Sequence, residues 1–128
     1  MEERYVTITG FRHYYGMLPF AIGNVIRCQK EPRNQYDGEA IRCSLPTIGT
    51  VGYLANSTST VAGGTMSAGR IYDQVGSRFH VRVLFTTSSK IICRVETGTL
   101  ESLEREIWRQ SEDGWQEDQQ QNECEMSF

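Results

Sequence analysis

The sequence predicts a mainly β fold: a small barrel or curled sheet with a short helical insertion and an acidic C-terminal extension. Three observations predict it. Short stretches with two-residue alternation and many β-branched residues recur through residues 5–95. Gly, Pro, Asn and Asp punctuate them, and no run of long helices separates them. The charge is also segregated. Residues 1–95 carry eleven Lys/Arg against six Asp/Glu, whereas residues 96–128 carry two against ten. At 128 residues, this is one domain with an appendage.

Each element has a local reason. Tyr5 to Thr9 alternates with period two, and Gly10 permits a bend before Phe11 to Tyr15. A second strand, Asn24 to Gln29, is stopped by Pro32, and a third, Ala40 to Leu45, is ended by Pro46. Thr50 to Leu54 follows the Ile48-Gly49 turn. Phe79 to Thr86 and Lys90 to Val95 form a hairpin across a Thr-Ser-Ser connection. Between strands, Asn56-Ser57 offers helix caps, and Ala68, Ile71, Tyr72 and Val75 have helical spacing. Gly63, Gly64 and Gly69 argue against one continuous helix there. The expected insertion is a turn of helix, a glycine break, and a second short helix ending near Gly76. Leu100, Leu103 and Ile107 share one face of a further helix, with Trp108 beside them, that docks on the barrel or on a partner. The expected organisation is therefore a barrel over 1–95, an amphipathic helix over 96–110, and an acidic, disordered tail over 111–128.

Cys28, Cys43 and Cys93 lie in apolar or alternating runs and Cys124 in the polar tail. No Cys-x-x-Cys pair exists, and His13 and His80 stand far from any cysteine in sequence, so no zinc site is expected. The polar start leads directly into a strand pattern, which is not a signal peptide, and no apolar run approaches the roughly 20 residues that span a bilayer. Four cysteines then read as reduced thiols, in a cytoplasmic protein.

The most informative segment is Glu31-Pro32-Arg33-Asn34-Gln35-Tyr36-Asp37-Gly38-Glu39-Ala40-Ile41-Arg42. A tyrosine gives a flat stacking face, and the neighbouring carboxylate accepts hydrogen bonds from hydroxyls. Together they could grip a nucleotide end by its base and its sugar. The plain alternative is that Asn34, Asp37 and Gly38 only make the turn, with Tyr36 filling the barrel mouth.

Taken with Gly10-Phe11-Arg12-His13-Tyr14-Tyr15-Gly16 and Val51-Gly52-Tyr53-Leu54, this segment resembles the HIRAN domain in order and spacing, over about residues 5 to 95. Such domains occur fused to Swi/Snf-type ATPases and as short stand-alone bacterial proteins, and the chain is similar to the latter. The resemblance implies an OB-like barrel with inserted helices that captures the free 3′-hydroxyl end of single-stranded DNA. It implies that Tyr36 and an aromatic of the first motif hold the terminal bases, and that Asp37 accepts the terminal hydroxyl. Arg12 matches the first motif. His13 stands where the best understood member stacks a tyrosine, with Tyr14 or Tyr15 as substitutes.

Arg12, Lys30, Arg33 and Arg42 lie in or beside the motifs and are expected to contact phosphates, the usual source of affinity and salt dependence. Asp37 near a polyanion is unfavourable unless a hydroxyl donates to it, which favours free ends over internal phosphodiesters. Gly63 to Arg70 resembles a phosphate cradle without the Gly-Lys-Ser/Thr ending of a nucleotide-hydrolysing loop; Arg70 joins the candidate DNA contacts on that basis. Glu31, Asp37 and Glu39 invite a metal-dependent nuclease reading, but no lysine follows at nuclease spacing, and a solvated turn is preferred. His13 and His80 have no Ser or Cys motif to serve as catalytic base, and Phe79 reads as core.

The expectation is thus non-catalytic binding of single-stranded DNA at a 3′ end, without cofactor or metal, with DNA repair, replication and mobile-element defence all open as its setting and a DNA-processing protein as a second partner. The alternative is a protein-interaction module whose groove takes an acidic or extended peptide. The tail either solubilises the chain or lies across the basic groove as a mimic of nucleic acid, the first being preferred.

Overall fold

In the computed structural model, which describes residues 3–113, six strands close into a barrel in the order β1-β4-β3-β2-β5-β6, every neighbouring pair antiparallel. The strands are β1 (Tyr5–Thr9), β2 (Val25–Lys30), β3 (Ile41–Leu45), β4 (Gly49–Leu54), β5 (Arg78–Thr86) and β6 (Ile91–Val95). Every strand bound read from alternation and punctuation falls within one residue of these. The curled sheet left open by the sequence is a closed ring.

Alternate residues of each strand fill the barrel. Val6, Ile8, Ile26, Cys28, Ile41, Cys43, Val51, Val81 and Cys93 are all fully buried. Cys28 and Cys43 face each other across β2 and β3 as free thiols, and burial pushes the Cys43 and Cys93 thiols well up. They pack as small hydrophobes. Two register shifts, at Cys43/Ser44 and Val83/Phe85, bend the ring. Gly52 on β4 leaves no room for a side chain against β1: a Cβ there would lie 2.8 Å from Ile8 Cγ2 and 2.9 Å from the Thr9 carbonyl oxygen.

The segment after β1 is a single 3-10 turn, Phe11–His13, rather than further strand. Gly10 enters it at φ +74°, a left-handed conformation that other residues avoid. Phe11 packs edge-on to Phe20 inside, while Arg12, His13 and Tyr14 stay outside.

Residues 56–76 lie along β1. Ala55 N donates to Thr7 O, Met66 N to Tyr5 O, and the Thr7 and Thr65 hydroxyls meet at 2.8 Å. Thr7 is thereby buried although it points away from the barrel interior. Only a hydrogen-bonded turn forms after Ser57. The helix is α1 (Ala68–Ile71), continued as a 3-10 turn over Tyr72–Gln74 and capped by the Ser67 hydroxyl. Asn56 caps as well, but at a distance: its Oδ1 accepts from Gly69 N.

Helix α2 (Leu100–Asp113) packs on β2 and β5, with Thr99 Oγ1 accepting from Ser102 N at its start. Leu103 and Ile107 enter the core, while Leu100 and Trp108 remain half-exposed. Glu104 is the polar anchor. It accepts two hydrogen bonds from Arg27 and one from His80 Nε2. The adjoining Arg27 guanidinium holds its carboxyl down at about 2, against the cost of partial burial and with help from His80. His80 is buried, and its Nδ1 has no partner among the described residues. Arg82 adds ion pairs to Glu106 and Glu96, and Gln110 bonds both backbone groups of Val25. The helix therefore runs three residues past the expected end at 110. Ser111 is helical and buried, so a disordered tail does not begin there. The rest of that acidic segment, and Cys124, lie outside the described residues. No described helix is long and apolar enough to cross a membrane.

Candidate nucleic-acid interface

The loop from β2 to β3 is built by its own polar side chains. Asn34 Oδ1 accepts from both Tyr36 N (2.9 Å) and Asp37 N (3.1 Å), and Asp37 Oδ1 accepts from Glu39 N (2.9 Å). These Asx turns fix the backbone without using the Tyr36 ring. That ring is 88% exposed, the most exposed of the large apolar and aromatic side chains described. It does not fill the barrel mouth.

Asp37 is half-buried, and its second oxygen accepts from Asn56 Nδ2 at 2.8 Å. An ionised carboxylate offers about four acceptor sites, so these two bonds orient it and leave acceptor capacity toward the cleft. Beneath the loop, Glu31 is fully engaged. It accepts from the Tyr53 hydroxyl at 2.8 Å and from Asn34 Nδ2 at 3.2 Å, and it pairs with Arg42. Burial, reinforced by the Glu31 bond, pushes the Tyr53 phenol up to about 12. Tyr53 is a neutral structural post at neutral pH.

Tyr14, Tyr36, Asp37, Tyr53, Asn56 and Thr60 line one open cleft of about 580 Å³ at the Thr9 end of β1. Three phenols, a carboxylate, an amide and a hydroxyl can stack on flat rings and exchange hydrogen bonds with hydroxyls and amides. Asn34 also lines this cleft. His13 is exposed but is not on its wall; Tyr14 takes that place.

The predicted cations are spread more widely. Arg12 donates to Ser88 O in the β5–β6 turn. Lys30 donates to Val75 O and lies 4.4 Å above the Tyr72 ring centre. Arg42 bonds Thr50, and its Nε stands 3.5 Å from Glu31, an ion pair too long to satisfy that N–H. Arg33 is exposed and makes no ion pair among the described residues. Arg70 is exposed too, on α1, away from the cleft.

Glu31, Asp37 and Glu39 do not converge, and no group of three His, Cys, Asp or Glu among the described residues could hold a metal ion. Phe79 is buried in the core. Two cleft residues escaped the sequence reading. Tyr53 was visible only as part of a motif, and Asn56 read as a local helix cap.

The family model described as the HIRAN domain matches residues 1–97. The chain belongs to the HIRAN family. Its fold is similar to the crystal structure of the HIRAN domain of human HLTF, with a TM-score of 0.53 at 17% identity, over 84% of this chain and 87% of that one. A crystal structure of a protein from Lactobacillus plantarum aligns at 22% identity and a TM-score of 0.47, over 73% of this chain and 93% of that one. No curated protein matches the chain. In this HIRAN domain the first motif forms the 3-10 turn, the second the Asx-turned loop, and the third the end of β4. All three border the cleft.

Proposed function

We propose that this HIRAN protein is a non-catalytic binder of single-stranded DNA that prefers a free 3′-hydroxyl end. Tyr36 and Tyr14 stack the terminal bases, each stacked base contributing about 1–3 kcal/mol irrespective of sequence. Asp37 accepts the terminal hydroxyl, held in place by Asn56 and Glu39 N. Arg12 and Arg33 supply the phosphate contacts beside the cleft. Lys30 and Arg42, already bonded within the fold, set the shape of the loop and add charge behind it.

One observation carries this reading: a fully presented ring stands next to an oriented carboxylate at the rim of one cleft. A carboxylate repels an internal phosphodiester and welcomes a hydroxyl, so an end fits and a middle does not. The family membership supports a DNA ligand. The alternative, an acidic or extended peptide in the barrel groove, has less support: the six-strand ring has no open edge for a peptide strand to join, and the Asp37 carboxylate at the cleft rim repels acidic side chains.

Competition between linear and circular single strands of equal length tests the proposal. The linear strand displaces a labelled oligonucleotide at far lower concentration if ends are read. Equal competition would remove the end-binding claim.

A further inference from the structure

The cleft continues into two further concavities. Asn56 and Ser57, on its wall, also border a hollow of about 370 Å³ floored by Thr58, Gly63, Gly64 and Ser67. Arg70 closes the far side of that hollow. It also opens a larger recess of about 1170 Å³, lined by Arg4, Arg94, Gln74 and the polar edge of Tyr5. Thr9 and Tyr5, at opposite ends of β1, mark the two extremities of the furrow. At about 3.3 Å per residue, the strand beside it measures about 13 Å.

The charge along this path is graded. The cleft holds a carboxylate, the middle is floored by hydroxyls, an amide and glycine backbone, and the far recess presents three guanidinium groups against the carboxylates of Glu3 and Glu96, an excess of one positive charge. Arg94 is shared with Glu96 at 3.1 Å and Glu3 at 3.7 Å. Arg4 is positioned by Gln74, its Nη1 donating to that residue's carbonyl at 3.1 Å. Arg4 and Arg70 have no carboxylate partner among the described residues. Glu39 borders the middle section, its Oε1 lying against Gly69. A phosphate chain is therefore disfavoured at the cleft rim and favoured beyond Arg70.

We infer that this furrow is the track for the single strand leaving the cleft, with its phosphodiester backbone passing over the Ser57–Gly64 floor to Arg70, Arg4 and Arg94. The inference rests on the end-binding reading and extends it from a terminal clamp to a directional site. The captured 3′ end lies at Thr9, and the strand runs 5′-ward toward Tyr5. Such a track also brings the site up to the roughly 4–16 nucleotides that barrels of this kind engage. The neutral glycine-containing floor lets a backbone pass closely, which accounts for Gly63 and Gly64 without nucleotide hydrolysis.

Oligothymidylates of three and twelve nucleotides, all with free 3′ hydroxyls, are to be competed against a labelled twelve-mer on the full chain. The Arg4→Gln/Arg70→Gln variant is to be measured alongside, its fold checked by thermal melting. The expected result is a gain in affinity of at least tenfold from three to twelve nucleotides. In the variant most of that gain disappears while trimer binding is kept, and the salt slope for the twelve-mer falls by about 1.4. Equal affinity for both lengths in the unmodified protein, with the trimer bound, overturns the track and leaves the clamp standing. Equal loss of trimer and twelve-mer in the variant also overturns it, as does competition by hexaglutamate as strong as by the twelve-mer. Failure of the unmodified protein to bind either oligonucleotide overturns track and clamp together.

Discussion

Asn56 joins two parts of the chain that the sequence keeps apart: its amide donates to Asp37 Oδ2 at 2.8 Å, while its carbonyl accepts from Gly69 N at 2.7 Å. The first bond aims the carboxylate of the cleft, and the second ties that aim to the start of α1. The amide cannot turn without breaking both. Asn56→Leu is expected to lower stability by about 1–2 kcal/mol. It should also reduce the preference for a 3′ hydroxyl over a 3′ phosphate, measured by anisotropy on matched oligonucleotides, because Asp37 loses its orienting donor.

Tyr36 contributes to binding and little to folding. Its ring touches almost nothing in the free protein, so Tyr36→Ala should leave the melting free energy within about 0.5 kcal/mol. The same change should cost about 1–3 kcal/mol of single-strand binding, and Tyr36→Phe should restore most of it. Parallel melts and titrations of both variants check the separation.

Gly52 is expected to behave in the opposite way. A methyl group there meets Ile8 and the Thr9 carbonyl at distances real Cβ atoms avoid, so β4 or β1 must shift. Gly52→Ala should destabilise the barrel by about 1–3 kcal/mol in chemical denaturation. Since the cleft sits where these strands end, binding should weaken along with it.

Acid should loosen α2 before it affects the strands. The Glu104 carboxyl is held at about 2 in the folded chain, below its ordinary 4.5, chiefly by Arg27. Its contribution is therefore fully present above about pH 4.5 and is lost as the pH falls toward 2. Glu106, lowered by Arg82, acts in the same direction. With partial solvent screening, about 1–2 kcal/mol should vanish over that window. Glu104→Gln should be less stable at neutral pH and show a flatter decline in thermal melts between pH 5 and pH 2.

The strands were legible because their signals are local. β-branched alternation marks the runs, and Pro32, Pro46 and the glycines mark their ends. The loop was legible for the same reason: Asn34, Asp37 and Gly38 make turns with their own backbone, and an aromatic between them has no core to enter. What was hidden depends on chain segments meeting. Nothing near His13 in sequence shows that a 3-10 turn gives Tyr14, not His13, to the cleft wall. The spacing of Leu103 and Ile107 announced an amphipathic face. The clamp of Glu104 on Arg27 and His80 joins residues 77 and 24 positions apart, which no local pattern contains. Lys30 and Arg42 looked like free cations because their partners, Val75, Tyr72 and Glu31, become neighbours only in the folded barrel.

The central claim is that Asp37 accepts the hydroxyl at the end of a strand whose base lies on Tyr36. The most direct measurement is the ratio of dissociation constants for one oligonucleotide ending in 3′ phosphate and in 3′ hydroxyl, in the unmodified protein and in Asp37→Ala. The account predicts a ratio well above one in the unmodified protein, about tenfold or more for a lost charge-assisted hydrogen bond and an added repulsion, falling close to one in the variant. A ratio near one in the unmodified protein, or one that survives the loss of Asp37, would contradict it.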